Sequence, residues 1–248
     1  MNFALTDEQQ MIIDSTREFV TKELMPHEAE VEATGVLRPE LHRELKAKAI
    51  DAGLYAANMP TDVGGAGLDT VTWVLYEKEL GKTGYALHYN CVGRPSNILC
   101  ACEGDQREQY LFPSVRGERV DCLAMTEPGA GSDVRGMRAT AVEKNGDYVI
   151  NGTKHFISHA DHADFVILFV ATGEEQSARG PKKLITAFLV DKGTPGFEVR
   201  EGYKNVSHRG YNNCILEFND CRVPKSAIDR KSTRLNSSHT DISRMPSS

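Results

Sequence analysis

The sequence predicts an α+β multidomain chain, with an N-terminal all-α domain over residues 1–121 and an antiparallel β-barrel or sandwich domain over residues 122–228. Three observations predict it. Apolar residues recur at helical spacing through the first half. Beyond residue 121 the chain alternates at period two and is rich in β-branched and aromatic residues. Within that second half stands Asn145-Gly146, a strong hairpin signal, because both central positions of a type I′ turn need positive φ.

The helical half divides as follows. Thr6 with Gln9 three residues on forms a capping box. Ile12, Thr16, Phe19 and Val20 then follow at helical spacing through Glu23, and Pro26 lies at or near the helix end. A second amphipathic helix covers residues 39–52, with Leu41, Leu45 and Ala49 on one face and Gly53 placed to stop it. Residues 60–67 (PTDVGGAG) form a glycine-rich loop. Helix returns over residues 70–80, with Val71, Val74 and Leu75 as its apolar stripe; Glu77 and Glu79 belong to a solvated acidic face. A short helix over residues 105–112 precedes Pro113. In the second half, residues 148–150, 165–171, 184–190 and 214–218 read as strands. Asn151-Gly152 is a second candidate turn and residues 193–196 (GTPG) a third.

Composition excludes several classes. Hydrophobic residues make up 40% and charged residues 26% of the 248, with a net charge of −6. That is ordinary globular composition without the basic face of a nucleic-acid binder, so no nucleic-acid partner is expected. Six scattered cysteines include no CxxC pair and predict buried free thiols in a reducing compartment. The N-terminus has neither the basic and apolar regions of a secretory signal nor the Arg-rich look of a transit peptide, and no apolar run approaches a membrane span, so a soluble cytoplasmic protein is expected. Residues 229–248 break both periodicities. The string DRKSTRLNSSHTDISRMPSS resembles the in-frame translation of a sequencing-library adaptor, which makes the segment a disordered tail outside the fold.

The most informative segment is CLAMTEPGAGSDVRG, residues 122–136. It reads as a strand running into a Gly-Ala-Gly-Ser turn, where glycines permit close backbone approach and consecutive amides can form a nest for phosphate oxygens. With Ala124-Met125-Thr126-Glu127, Gly131-Ser132-Asp133 and Gly136, it resembles the signature of the acyl-CoA dehydrogenases. Residues 5–17, 58–69, 104–118, 148–158 (YVINGTKHFIS) and 214–224 (CILEFNDCRVP) resemble further segments of that family, so the likeness runs essentially from residue 1 to 228.

The resemblance implies a flavoprotein with FAD lying across the β domain and the acyl-CoA thioester at the flavin face. It places Leu123, Met125, Thr126, Gly129, Ala130, Gly131 and Ser132 along the flavin and its pyrophosphate. The Thr126 hydroxyl would donate near the N1/O2 edge, and Ser132 would face the pyrophosphate and the CoA side of the substrate. Phe156, Ile157 and Ser158 match the segment that packs on the isoalloxazine, with the Ser158 hydroxyl near N5. Many members carry Trp and Thr where this chain has Phe156 and Ser158; ring and hydroxyl are kept. The implied reaction is oxidation of an acyl-CoA to its trans-2-enoyl-CoA, with electrons passing to an electron-transferring flavoprotein. Acyl-CoA oxidase and flavin monooxygenase activities share the fold and stand as alternatives. The family base is a glutamate of a C-terminal helical domain that this sequence lacks, so no catalytic residue is assigned. Glu127, in the flavin-cradling turn, is given a structural role. The fragment is therefore expected to be inactive, and its full-length parent a homotetramer or homodimer. His155, His159 and His162 with Asp161 and Asp164 could suggest a metal site, but their local pattern is strand then loop, and the family uses no metal there. His208-Arg209-Gly210 is placed in a β-domain loop.

Overall fold

The computed structural model describes residues 4–177 and 180–229. The chain divides into two compact units. Of the described residues, one holds those up to 99 together with 104–120 and 203–212; the other holds 100–103, those within 121–202, and 213–229.

The first unit is helical. Thr6 caps α1 (Asp7–Phe19), its hydroxyl accepting from the Gln9 amide at 3.1 Å while the Gln9 side chain accepts from the Thr6 amide at 3.1 Å. The chain does not stop at Pro26. A π-helical turn (Val20–Leu24) and a 3₁₀ turn (Met25–His27) lead into α2 (Glu28–Thr34), which ends at Gly35 with φ 69°. Proline is tolerated there because it falls in the first turn of a new helical segment, where its missing N–H leaves no bond unmade. Then come α3 (Pro39–Asp51), α4 (Thr70–Leu80), α5 (Tyr85–Cys91) and α6 (Phe112–Val115). Pro113 sits inside the first turn of α6 rather than after its end, and a π-helical turn (Arg107–Leu111) precedes it.

Helix α3 buries Leu41, Leu45 and Ala49 as expected. Helix α4 does not bury its expected stripe. Val71 and Val74 are exposed, whereas Thr72, Tyr76, Glu79 and Leu80 are buried. Paired polar groups explain the rotation. Gln9 donates to the Thr72 hydroxyl, Tyr76 donates to the Leu54 carbonyl at 2.6 Å, and Glu79 accepts from Arg17 at 3.0 and 3.2 Å and from Lys82 at 2.5 Å. A carboxylate so bound can be buried at tolerable cost, so Glu79 is no part of a solvated face. Glu77 accepts from Arg94.

The second unit is one seven-stranded sheet: β1 (Asp121–Ala124), β2 (Thr140–Lys144), β3 (Asp147–Ser158), β4 (Phe165–Ser177), β5 (Gly180–Asp191), β6 (Phe197–Tyr203) and β7 (Asn213–Pro224). Its order is β1-β4-β2-β3-β7-β6, with β5 also paired to β4. The sheet is mixed rather than purely antiparallel, because β1 runs parallel to β4 and β2 meets β4 in parallel at Thr140 and Ala171. Parallel neighbours need a crossover, and the β2–β3 hairpin lies in the chain between β1 and β4. Asn145 and Gly146 take φ 56° and 85° and make the expected hairpin turn. Asn151-Gly152 makes no turn; it lies inside β3, where Gly152 (φ 144°) occupies an irregularity in the register with β7. The core holds Ile150, Val166, Leu168, Phe188, Leu216 and Phe218, with Phe197 stacked on Phe218 at 4.7 Å.

All six cysteines are free thiols, five of them buried. Of the segment 229–248 only Asp229 is described. It is buried and its amide donates to the Ala187 carbonyl at 3.1 Å, so the packed chain extends one residue beyond the expected limit. Residues 230–248 lie outside the described residues. His208-Arg209-Gly210, expected in a β-domain loop, lies in the segment 203–212, which belongs to the helical unit. There His208 and Tyr211 pack on the Tyr85 ring at 4.4 and 4.8 Å.

Candidate functional site

Strand β1 carries Leu123 exposed between buried Cys122 and Ala124. Beyond it the chain turns tightly. The Glu127 amide donates to the Ala130 carbonyl at 2.9 Å, and the Ala130 amide returns a bond to Glu127 at 3.2 Å. Pro128 and Gly129 fill the two central positions, the first with φ pre-set by its ring. After Gly131 and Ser132, the Asp133 side chain accepts from the Arg135 amide and starts a short 3₁₀ turn, Val134–Gly136.

Strand β3 approaches this turn through a bulge. Its register with β7 shifts between Lys154 and Ile157. Within the shift Phe156 has φ 57°, a left-handed conformation that a bulky residue holds only when its surroundings impose it. Bulges of this kind re-aim side chains beside functional sites. Phe156 is accordingly 54% exposed, while Ile157 is buried and Ser158 half-buried. The amide of His155 donates to the Thr126 carbonyl at 2.8 Å. That bond brings together the two segments that the family resemblance assigned to one cofactor.

Beneath them lies a buried ion pair. Lys154 is fully buried, and its ammonium donates to the Glu127 carboxylate at 2.8 Å and to the Met125 carbonyl at 3.0 Å. Glu127 also accepts from the Arg138 amide at 2.6 Å and the Ala139 amide at 3.1 Å. Burial alone would raise the Glu127 carboxyl, but the two amides and Lys154 outweigh it and hold the group below its ordinary value. Burial pushes the Lys154 ammonium down, against the pull of Glu127. A carboxylate so committed is an anchor and not a free base. The role of Lys154 was missed in the sequence, although its parity with buried Ile150 along β3 marks it as inward-facing.

The residues present fit a flavin dinucleotide on two observations. Glycine is normally required by positive φ or by a neighbour too close for a Cβ. Gly129 and Gly131 have neither: their φ values are not positive, and a Cβ on either meets nothing within 4 Å. Open space in front of this backbone suits close approach of a ligand. Second, the hydroxyls of Thr126, Ser132 and Ser158 have no hydrogen-bond partner among the described residues, so their capacity is free for an acceptor-rich molecule.

The histidines do not converge. His159 Nε2 lies 2.7 Å from the Asp121 carbonyl, His162 stands near Asp161, and among the described residues no group of three or more His, Cys, Asp or Glu is arranged to hold a metal ion. No helix among the described residues is long and apolar enough to cross a membrane.

Comparison with known proteins bears on this geometry. Residues 6–118 match the family model of the acyl-CoA dehydrogenase N-terminal domain, and residues 122–221 match that of the acyl-CoA dehydrogenase middle domain. The chain belongs to the acyl-CoA dehydrogenase family. It is 33% identical over 228 residues to an acyl-CoA dehydrogenase of Bacillus subtilis, covering 90% of this chain and 58% of that relative. Among solved structures it resembles the butyryl-CoA dehydrogenase of Megasphaera elsdenii, with a TM-score of 0.76 and 29% identity over 92% of this chain and 59% of the other. It also resembles an acyl-CoA dehydrogenase of Bacillus anthracis complexed with FAD, with a TM-score of 0.75 and 27% identity over 90% of this chain and 38% of the other. The chain thus spans little more than half the length of the curated relatives it matches.

Proposed function

We propose that this chain forms the FAD- and acyl-CoA-facing part of an acyl-CoA dehydrogenase, whose complete protein oxidises an acyl-CoA thioester to the trans-2-enoyl-CoA. The observation that carries the proposal is the meeting of the Thr126 turn with the Phe156 bulge through the His155–Thr126 hydrogen bond, beside two glycines that nothing in the chain requires. Bound FAD would supply the acceptor for the hydride leaving the substrate β-carbon. The chain's own residues orient and shield. Phe156 offers an exposed ring for the isoalloxazine and Leu123 an exposed apolar side chain beside it. Thr126 offers a donor to an edge that gains negative charge, where a fixed donor does most good. Met125 and Ile157 support the two segments, and Ser158 places a hydroxyl next to the bulge. Gly129, Gly131 and Ser132 present backbone amides and a hydroxyl to diphosphate oxygens, the usual use of a glycine-rich turn, while the Ala130 amide closes the turn on Glu127.

Glu127 is not free to take the substrate α-proton, because it is consumed by Lys154 and two amides. The base therefore comes from elsewhere in the complete protein, and an electron-transferring flavoprotein takes the electrons onward. The chain alone is a ligand-binding fragment without turnover. Titrating FAD into it, followed by flavin absorption and fluorescence, should give saturable binding in about the micromolar range. Acyl-CoA added with an artificial electron acceptor should give no turnover. Absence of binding at about a hundred micromolar FAD would reject the site.

A further inference from the structure

We propose that Lys154 is a positioning residue for the flavin-facing turn, with Glu127 as its counter-charge. The proposal rests on the assignment of that turn to FAD. Its ground is the way three consecutive residues of the turn are tied to two consecutive residues of β3. The Met125 carbonyl accepts from Lys154 Nζ at 3.0 Å, the Thr126 carbonyl accepts from the His155 amide at 2.8 Å, and the Glu127 carboxylate accepts from Lys154 Nζ at 2.8 Å. One ammonium therefore holds the residues on both sides of Thr126. The hydroxyl of Thr126 is left without a partner among the described residues, free to point outward.

A fully buried lysine needs a reason. Taking an ammonium out of water is unfavourable unless it is paired and hydrogen-bonded, and an apolar pair in place of both Lys154 and Glu127 would fill the space at less cost. What an apolar side chain cannot do is bind a carbonyl and a carboxylate at fixed distances and so fix the turn. Glu127 extends the clamp in the other direction, since its oxygens also accept from the Arg138 and Ala139 amides that follow the turn. The result is a buried charge-assisted network joining β3, the turn and the segment leading to β2, with Phe156 two residues from its centre. Such a network fixes geometry rather than adding contact to the ligand.

The test is a double-mutant cycle read on bound flavin. Thr126→Val should shift the visible flavin band and weaken FAD binding about fivefold in the otherwise unchanged chain. In Lys154→Met, FAD binding should fall about tenfold, and adding Thr126→Val should then move neither the band nor the affinity, because the hydroxyl is no longer aimed. Residues coupled through one network depart from additivity in this way, whereas independent sites add. Should Lys154→Met fail to fold, the neutral pair Lys154→Met/Glu127→Gln serves as the second background, with the same expectation. If Thr126→Val has its full effect in either folded background, Lys154 only supports the fold and the positioning role is overturned. If the unchanged chain binds no FAD, the assignment of the turn to FAD fails first and takes this proposal with it. The two failures are therefore distinguishable.

Discussion

Adding one methyl group at Gly131 separates ligand contact from folding. A Cβ there meets no atom of the chain within 4 Å, and the backbone φ is not in the left-handed region. Gly131→Ala should therefore leave the fold unstrained, and by restricting the unfolded chain it should stabilise by about 0.4–1 kcal/mol. FAD binding should move the other way. A methyl group standing in the space taken by a diphosphate should cost at least about 1.4 kcal/mol, a tenfold loss of affinity. Gly152→Ala is the control. Its φ is 144°, and a Cβ would stand 2.6 Å from the Ala139 Cα, backbone that cannot swing aside. That change should destabilise by about 2–4 kcal/mol, as overpacking and a disallowed φ act together. The assay is paired: urea unfolding followed by far-ultraviolet circular dichroism, and FAD titration on each variant. If Gly131→Ala keeps wild-type FAD affinity, the turn does not face the cofactor. If it destabilises as much as Gly152→Ala, the glycine serves the fold instead.

Two further outcomes concern pH. Glu127 is held below the ordinary carboxyl value, so its stabilisation is fully present above about 4.5 and is lost as pH falls through the folded value; Glu127→Gln should flatten the acid limb of a urea-midpoint profile below that pH. His88 is displaced to about 4 by burial, with Arg94 and then His208 adding to it. Its neutral form is favoured in the fold, so stability should fall by about 3 kcal/mol as pH drops from 6.5 to 4, and His88→Phe should remove most of that fall. Lys154→Met should lower stability at neutral pH by about 3–5 kcal/mol, the usual effect of stranding one partner of a buried pair, and the drop in urea midpoint should shrink when Glu127→Gln is added.

Much of the fold was legible because local rules and tertiary packing agree. Thr6 and Gln9 form their capping box, Gly53 follows α3, and Asn145-Gly146 turns the β2–β3 hairpin. Where they disagreed, pairing decided. Thr72 and Glu79 are polar by composition but buried by virtue of Gln9, Arg17 and Lys82, and that rotated α4 away from Val71 and Val74. Short strands such as β1 and β2 offer too few residues for a period to show, and no local signal announces a parallel pairing across forty residues. At the site, the strings around Thr126 and Phe156 were readable as motifs. Their meeting was not, since it depends on a bulge that sets Phe156 at positive φ. Lys154 was hidden for a different reason: its parity with Ile150 points it inward, but nothing local names a partner twenty-seven residues away that makes a buried lysine tolerable.

One face of the β unit, made by the turn after β1 and the bulge in β3, is proposed to receive FAD. Amide hydrogen exchange read by mass spectrometry, with and without saturating FAD, tests it most directly. Exchange should slow in peptides covering residues 123–133 and 155–158 and stay unchanged through β5 and the helical unit's α3. Protection confined to other peptides, or none at a concentration where flavin absorption shows binding, would contradict it.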